Sequence, residues 1–341
     1  MPTIETPTAD ILIVTVTPTE SQAVLKAFKE ATGKTANTVA VGDRVYRDLG
    51  IIKGAKVFMA LSEMGAGGLG ASQQAVQKAI AALQPHAVIM VGIAFGINED
   101  KQKIGDVLVS KQLMLYESQR IGAGEIISRG DRVHSSTRLF NYLNNAHFDW
   151  ELAKVRFGLV LTGEKLVDNL DYRESLKKLA TEAIGGEMEG AGLYASCHDA
   201  NVDWILVKAI CDWANGDKEH DRDQRQQLAA DNAAAFVLFA LQHAPLPRLT
   251  NAPNAGTQIT TNITNSTVNG SVVAAGQIFN TTHHHSTPEK STKKSSPALL
   301  MWQEKLEFLL IEQAKNANPL QAFQLKKAIE EAQQEISKLG C

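Results

Sequence analysis

Apolar residues in the first two-thirds of the chain fall in short runs separated by longer amphipathic stretches. Ile11 to Val16, Val57 to Leu61, Ala87 to Val91, Val107 to Leu113, Phe157 to Leu161 and Trp204 to Ile210 are rich in Val, Ile and Leu. Continuous runs of that kind are what strands buried on both faces require. Between them the spacing predicts helices from about Thr19, over Ala71 to Leu83, from about Asp171, from Gly190 through Cys197, and over Asp223 to His243. Strands alternating with helices point to a central sheet wrapped by helices.

The pattern changes at Pro245. From Thr250 to Pro288 there is no charged residue, and Asn, Thr, Ser and Gly dominate. Ile259, Ile263, Val268, Val273 and Ile278 recur through this stretch, which suits either short strands stacking in an oligomer or a flexible linker. His283, His284 and His285 could touch a metal, although adjacent loop histidines are more often solvated. Helical spacing returns with Leu299, Trp302, Leu306 and Leu309, then Leu325, Ile329, Ala332, Ile336 and Leu339. Pro319, between the two stripes, suits a helix start. The expected domains are 1–245, a polar segment 246–296 and a helical interaction module 297–341.

Charge and cysteine content narrow the classes. The formal net charge is −3, so nothing draws the chain as a whole to a nucleic-acid backbone. Three cysteines, Cys197, Cys211 and Cys341, make no disulfide framework, and a reducing cytoplasm is the expected location. No apolar run reaches membrane-spanning length.

The candidate chemistry lies at strand ends, where α/β sheets build their ligand clefts. Glu20 follows the first strand, Glu187-Met188-Glu189 precedes a helix, and Asp212 ends the last strand. Each also has a plain structural reading: Glu20 and Glu189 as first-turn acids favoured by the helix dipole, Asp212 as an N-cap.

Taken in order, Thr17-Pro18-Thr19-Glu20, Met64-Gly65-Ala66-Gly67, Val91-Gly92-Ile93-Ala94-Phe95-Gly96, Ile104 to Ser110, Glu187-Met188-Glu189-Gly190 and Ala209 to Ala214 form a set. From Asp10 to His243 the chain resembles the nucleoside phosphorylase superfamily, especially its methylthioadenosine/S-adenosylhomocysteine nucleosidase branch. The resemblance implies a three-layer α/β domain around a mixed, twisted sheet, assembled as a homo-oligomer. It implies hydrolysis of a purine N-glycosidic bond, with no metal and no organic cofactor. By the same resemblance Asp212 would protonate the departing base and Glu20 would activate water. Glu189 would hold the ribose hydroxyls, with Met188 under the sugar. Glu187, Gly65, Gly92, Val167, Phe95 and Lys165 would complete the substrate-binding set.

Thr19-Glu20-Ser21-Gln22-Ala23 holds no arginine where a phosphorylase would bind phosphate, which favours water as nucleophile. Arg120, Arg129 and Arg132, with Arg44 and Arg47, are candidates for a 5′-phosphate, so the expected substrate is an adenine nucleotide such as ATP or AMP. The tail around Asn318 to Glu331 resembles helical modules of bacterial antiphage effectors. That implies a nucleotide-depleting defence role and a protein partner for these helices.

Overall fold

The computed structural model describes residues 7–122, 126–217 and 221–246, with Ile329 and Gln333 as two further helical positions. The expected polar segment beyond Leu246, its three histidines and the remainder of the tail lie outside the described residues.

In chain order the elements begin with β1 (Ile11–Thr15), α1 (Pro18–Thr32), β2 (Asn37–Val41), β3 (Arg44–Ile52), β4 (Ala55–Leu61), α2 (Ser72–Leu83) and β5 (Ala87–Gly96). β6 (Val107–Leu115), β7 (Gln119–Ile121), β8 (Ile126–Ser128), β9 (Arg132–His134), α3 (Thr137–Ala146) and β10 (Val155–Thr162) follow. The last are α4 (Leu170–Leu179), β11 (Ala183–Glu187), α5 (Gly190–Asp199), β12 (Asp203–Asp212) and α6 (Arg222–His243).

The main sheet runs β11-β10-β6-β12-β5-β1-β4-β3-β2, with β9 beside β6, and it is mixed. β1 is parallel to β4 and β5, whereas β12 is parallel to β5 and antiparallel to β6. Alternation along the inner strands divides the interior in two. Ile11 and Ile13 pack with α1, α3 and α6; Leu12 and Val14 pack with α2 and α5. Three layers result, as the helix–strand alternation required.

Two irregularities shape the upper edge of the sheet. β11 pairs with β10 and also turns back onto β5, with Gly185 opposite Gly96 and Gly186 opposite Phe95. A Cβ at Gly185 would meet the Phe95 carbonyl and Leu108 at 2.5 Å, so that closure needs glycine. In β12 the register slips between Ile210 and Asp212, which sets Asp212 directly across from Phe95.

Candidate active site

A cleft opens at this edge, between the ends of β1, β5, β11 and β12 and the start of α6. Its lining includes Glu20, Phe95, Lys165, Val167, Glu187, Met188, Glu189, Lys208 and Asp212. Eight of these were singled out from sequence; Lys208 was not.

Glu20 reaches the cleft because of how α1 begins. Thr17 caps the helix, its hydroxyl accepting from the Glu20 amide at 3.2 Å, while Glu20 Oε2 accepts from the Thr17 and Val16 amides at 2.7 and 2.9 Å. That is a capping box, so the plain reading of Glu20 as a first-turn residue is correct as well. Oε1 accepts from the Ile93 amide at 2.8 Å. Gly92 makes this possible: a Cβ there would overlap Glu20 Oε1. Three of roughly four acceptor sites on the carboxylate are therefore used, leaving one facing the cleft.

Glu187 is different. Its carboxylate accepts from the Glu189 amide at 2.9 Å and the Gly190 amide at 2.9 and 3.0 Å. Burial raises its pKa to about 7 despite the nearby Lys208 ammonium. It shapes the turn into α5 and also lines the cleft. In Glu189, Oε1 accepts from the Gly65 amide at 3.2 Å and Oε2 from Lys208 at 2.8 Å. Burial pushes its pKa upward, but the Lys208 ammonium and these hydrogen bonds outweigh it and hold the group below the usual carboxylate range.

Lys208 is 1 % exposed and sits among three acids. Its Nζ lies 2.8 Å from Glu189, 3.9 Å from Glu20 and 3.9 Å from Glu187. Burial alone would lower its pKa; the three carboxylates reverse that and raise it. A lone lysine within the apolar run Trp204 to Ile210 was the available signal, since a charge in a buried strand requires partners.

Asp212 also lines the cleft, half-buried, Oδ1 accepting from the Ala214 amide at 2.9 Å and Oδ2 lying 3.2 Å from Cys211 Sγ. Phe95, Val167, Met188 and Ile93 give the cleft its apolar surfaces.

Other expected residues lie elsewhere. Gly65 and Gly92 serve carboxylates, by an amide and by leaving room, and neither lines the cleft. Arg44 bonds Gln74, Arg47 bonds Thr38 and Arg132 pairs with Glu182. Arg120 and Arg129 are exposed on and beside the β7–β8 hairpin. None of these arginines is among the residues lining the cleft. Among the described residues, the cations that do are Lys165, Lys208 and Arg222, with Gln226 one turn beyond Arg222 on α6.

A mixed α/β sheet carrying acids at its strand ends around an apolar cleft defines a class of small-molecule enzyme. The chain belongs to the phosphorylase superfamily, whose family model matches residues 10–242. It is 30% identical over 194 residues to a death domain-containing ATP nucleosidase of Amphimedon queenslandica, an alignment covering 50% of this chain and 36% of that protein. The chain thus spans about a third of that relative's length. It is 25% identical over 158 residues to a 5′-methylthioadenosine/S-adenosylhomocysteine nucleosidase of Staphylococcus aureus, covering 45% of this chain and 68% of the relative. The corresponding nucleosidase from Helicobacter pylori, solved with butyl-thio-DADMe-Immucillin-A, shares the fold at a TM-score of 0.60 and 21% identity over 70% of this chain and 99% of that one.

Proposed function

We propose that this chain hydrolyses the N-glycosidic bond of an adenine nucleotide such as ATP or AMP, releasing adenine. The observation that carries the reading is the placement of Glu20, Glu189 and Asp212 on the walls of one apolar-lined cleft.

Each acid has a task suited to its place in the cleft. Asp212, across the strand pair from Phe95, protonates the leaving purine while the Phe95 ring and the Val167 backbone hold the base. General acid catalysis of this kind contributes about 10²–10⁴-fold. Glu189, on the cleft wall, takes the 2′ and 3′ hydroxyls, and its negative charge steadies the positive sugar of the transition state. Glu20, with one acceptor site open, orients water at the anomeric carbon and takes its proton. Lys208 neutralises excess charge so that three acids can remain together. Glu187 fixes the turn that aims Glu189.

Recognition of a 5′-phosphate falls to Lys165 and Arg222, with Gln226 beside them, in place of the hairpin arginines expected from sequence. The ATP nucleosidase relative supports the nucleotide over the 5′-thio nucleoside. In the same reading, residues 297–341 form the interaction module of a homo-oligomeric, nucleotide-depleting effector, a reading supported by the pairing of a death domain with a nucleosidase in the Amphimedon queenslandica relative.

The test is chromatography of reactions with ATP, AMP, adenosine and methylthioadenosine, with and without phosphate. Adenine from ATP or AMP, independent of added phosphate, is the expected result. Preferential release from methylthioadenosine would end the nucleotide assignment, and dependence on phosphate would end the hydrolase assignment.

A further inference from the structure

One peptide group stands between Asp212 and Arg173. The N–H of the peptide joining Trp213 to Ala214 donates to Asp212 Oδ1 at 2.9 Å, and its C=O accepts from Arg173 Nη1 at 2.9 Å. Carboxylate and guanidinium thus hold opposite ends of the same planar unit. Because that unit is rigid, a rotation that released the carbonyl would swing the N–H away from the carboxylate as well. A charged donor on the oxygen side also polarises the peptide and strengthens its N–H as a donor.

The segment after β12 does not hold its shape unaided. Ala214 is buried at a φ of 52°, the left-handed region that a Cβ disfavours. Such a conformation persists where the surroundings over-determine it. Arg173 is one restraint; another is Asp168, whose carboxylate accepts from the Gly216 amide at 3.0 Å.

Arg173 lies on α4 and is 6 % exposed. Its Nη1 also pairs with Glu99 from the connection between β5 and β6, and its Nη2 pairs with Glu174 at 3.1 Å. The side chains of these two acids are 44 % and 40 % exposed, so water can solvate them if the guanidinium is removed. A guanidinium serving only such surface acids would gain nothing from burial, which is costly for a charge. Here it is carried inward to a backbone oxygen one residue from Asp212.

We infer that Arg173 is a positioning residue for Asp212: it fixes the 213–214 peptide, and that peptide aims the carboxylate. The consequence for catalysis rests on the proposed role of Asp212 as the acid. Arg173 is not among the residues lining the cleft, so its loss should slow the chemical step and spare substrate binding.

Steady-state kinetics of the full chain, with the substrate that wild type cleaves best, tests this. R173M should lower kcat about 10–100-fold, the scale of one hydrogen bond to a charged group, with KM within about threefold of wild type. In a D212N background the same substitution should change kcat less than about threefold, because the side chain it aims is no longer an acid. R173Q ends where the arginine Nε lies, two bonds short of the carbonyl, and should match R173M; it is read in the same way if R173M does not fold. E174Q leaves the carbonyl contact in place and should keep the wild-type kcat. An equal loss with and without D212N, or a loss confined to KM, would overturn the inference. Hydrogen–deuterium exchange of the segment 212–216 needs no turnover. Exchange at least about tenfold faster in R173M, with E174Q like wild type, is the expected result. Unchanged exchange in R173M would overturn the inference whether or not base is released, whereas a wild type that releases no base would count against the proposed function alone.

Discussion

Removing the Lys208 ammonium while keeping the shape of its stem, as in K208M, would leave Glu20, Glu187 and Glu189 buried without their shared cation. The distances set the scale. At an effective dielectric of ~20, a unit pair attracts by about 6 kcal/mol at the 2.8 Å of Glu189 and by about 4 kcal/mol at the 3.9 Å of Glu20 and Glu187. Most of that gross attraction offsets the cost of burying four charges. What a single truncation exposes is the uncompensated remainder, about 3–5 kcal/mol. The deficit should depend on pH. Without the ammonium the carboxylates rise above their unfolded pKa values, so the folded mutant takes up protons as the pH falls. Its penalty is therefore full at pH 8 and shrinks toward pH 5. Urea unfolding of both proteins from pH 5 to 8 measures this. A deficit below about 1 kcal/mol at pH 8, or one that does not change with pH, would refute the electrostatic account of the site.

Three further outcomes follow from the same geometry. D212N keeps an oxygen to accept from the Ala214 amide, so its stability should stay within about 1 kcal/mol of wild type while base release falls about 10²–10⁴-fold; circular dichroism melts and adenine chromatography check both. G92A drives a methyl group into Glu20 and should abolish turnover with a loss of more than about 2 kcal/mol in denaturant unfolding; intact activity would remove Glu20 from the reaction. The Glu187 pKa, raised by burial to about 7, adds stability that is complete below its unfolded value and lost as the pH rises through about 7. The wild-type advantage over E187Q should therefore be larger at pH 4.5 than at pH 8, and a flat difference in urea unfolding would contradict the assignment.

The six apolar runs were legible because strands buried on both faces leave no polar positions to confuse the pattern. β2 and β3 were not, since this edge hairpin buries one face only, with Tyr46, Leu49 and Ile52 inward and Val45 and Ile51 exposed. β11 hides behind Gly185 and Gly186, residues that argue against a strand until its double pairing is seen. β5 continues through Gly92 to Gly96, where the glycines suggest an ending. α3 carries helical spacing at Leu139, Tyr142, Leu143 and Ala146, and only its distance from any motif kept it out of the expected elements.

In the site, residue type and strand-end position were enough to pick out Glu20, Glu189 and Asp212. Lys208, which was not singled out, is the one charge in the apolar run Trp204 to Ile210. The candidate arginines do not line the cleft of this chain, and their sequence positions give no direction for their side chains. Arg222 and Gln226 reach the cleft only because α6 lies across the sheet, a tertiary fact with no local signature.

The central claim is that water, held by Glu20, replaces the purine at the anomeric carbon while Asp212 protonates the base. Hydrolysis of AMP in oxygen-18 water, followed by mass spectrometry of the sugar product, tests it most directly. The account predicts one heavy oxygen at the anomeric position for each adenine released, and both products reduced about 10²–10⁴-fold in D212N. A sugar 1-phosphate, or adenine released equally well by D212N, would contradict it.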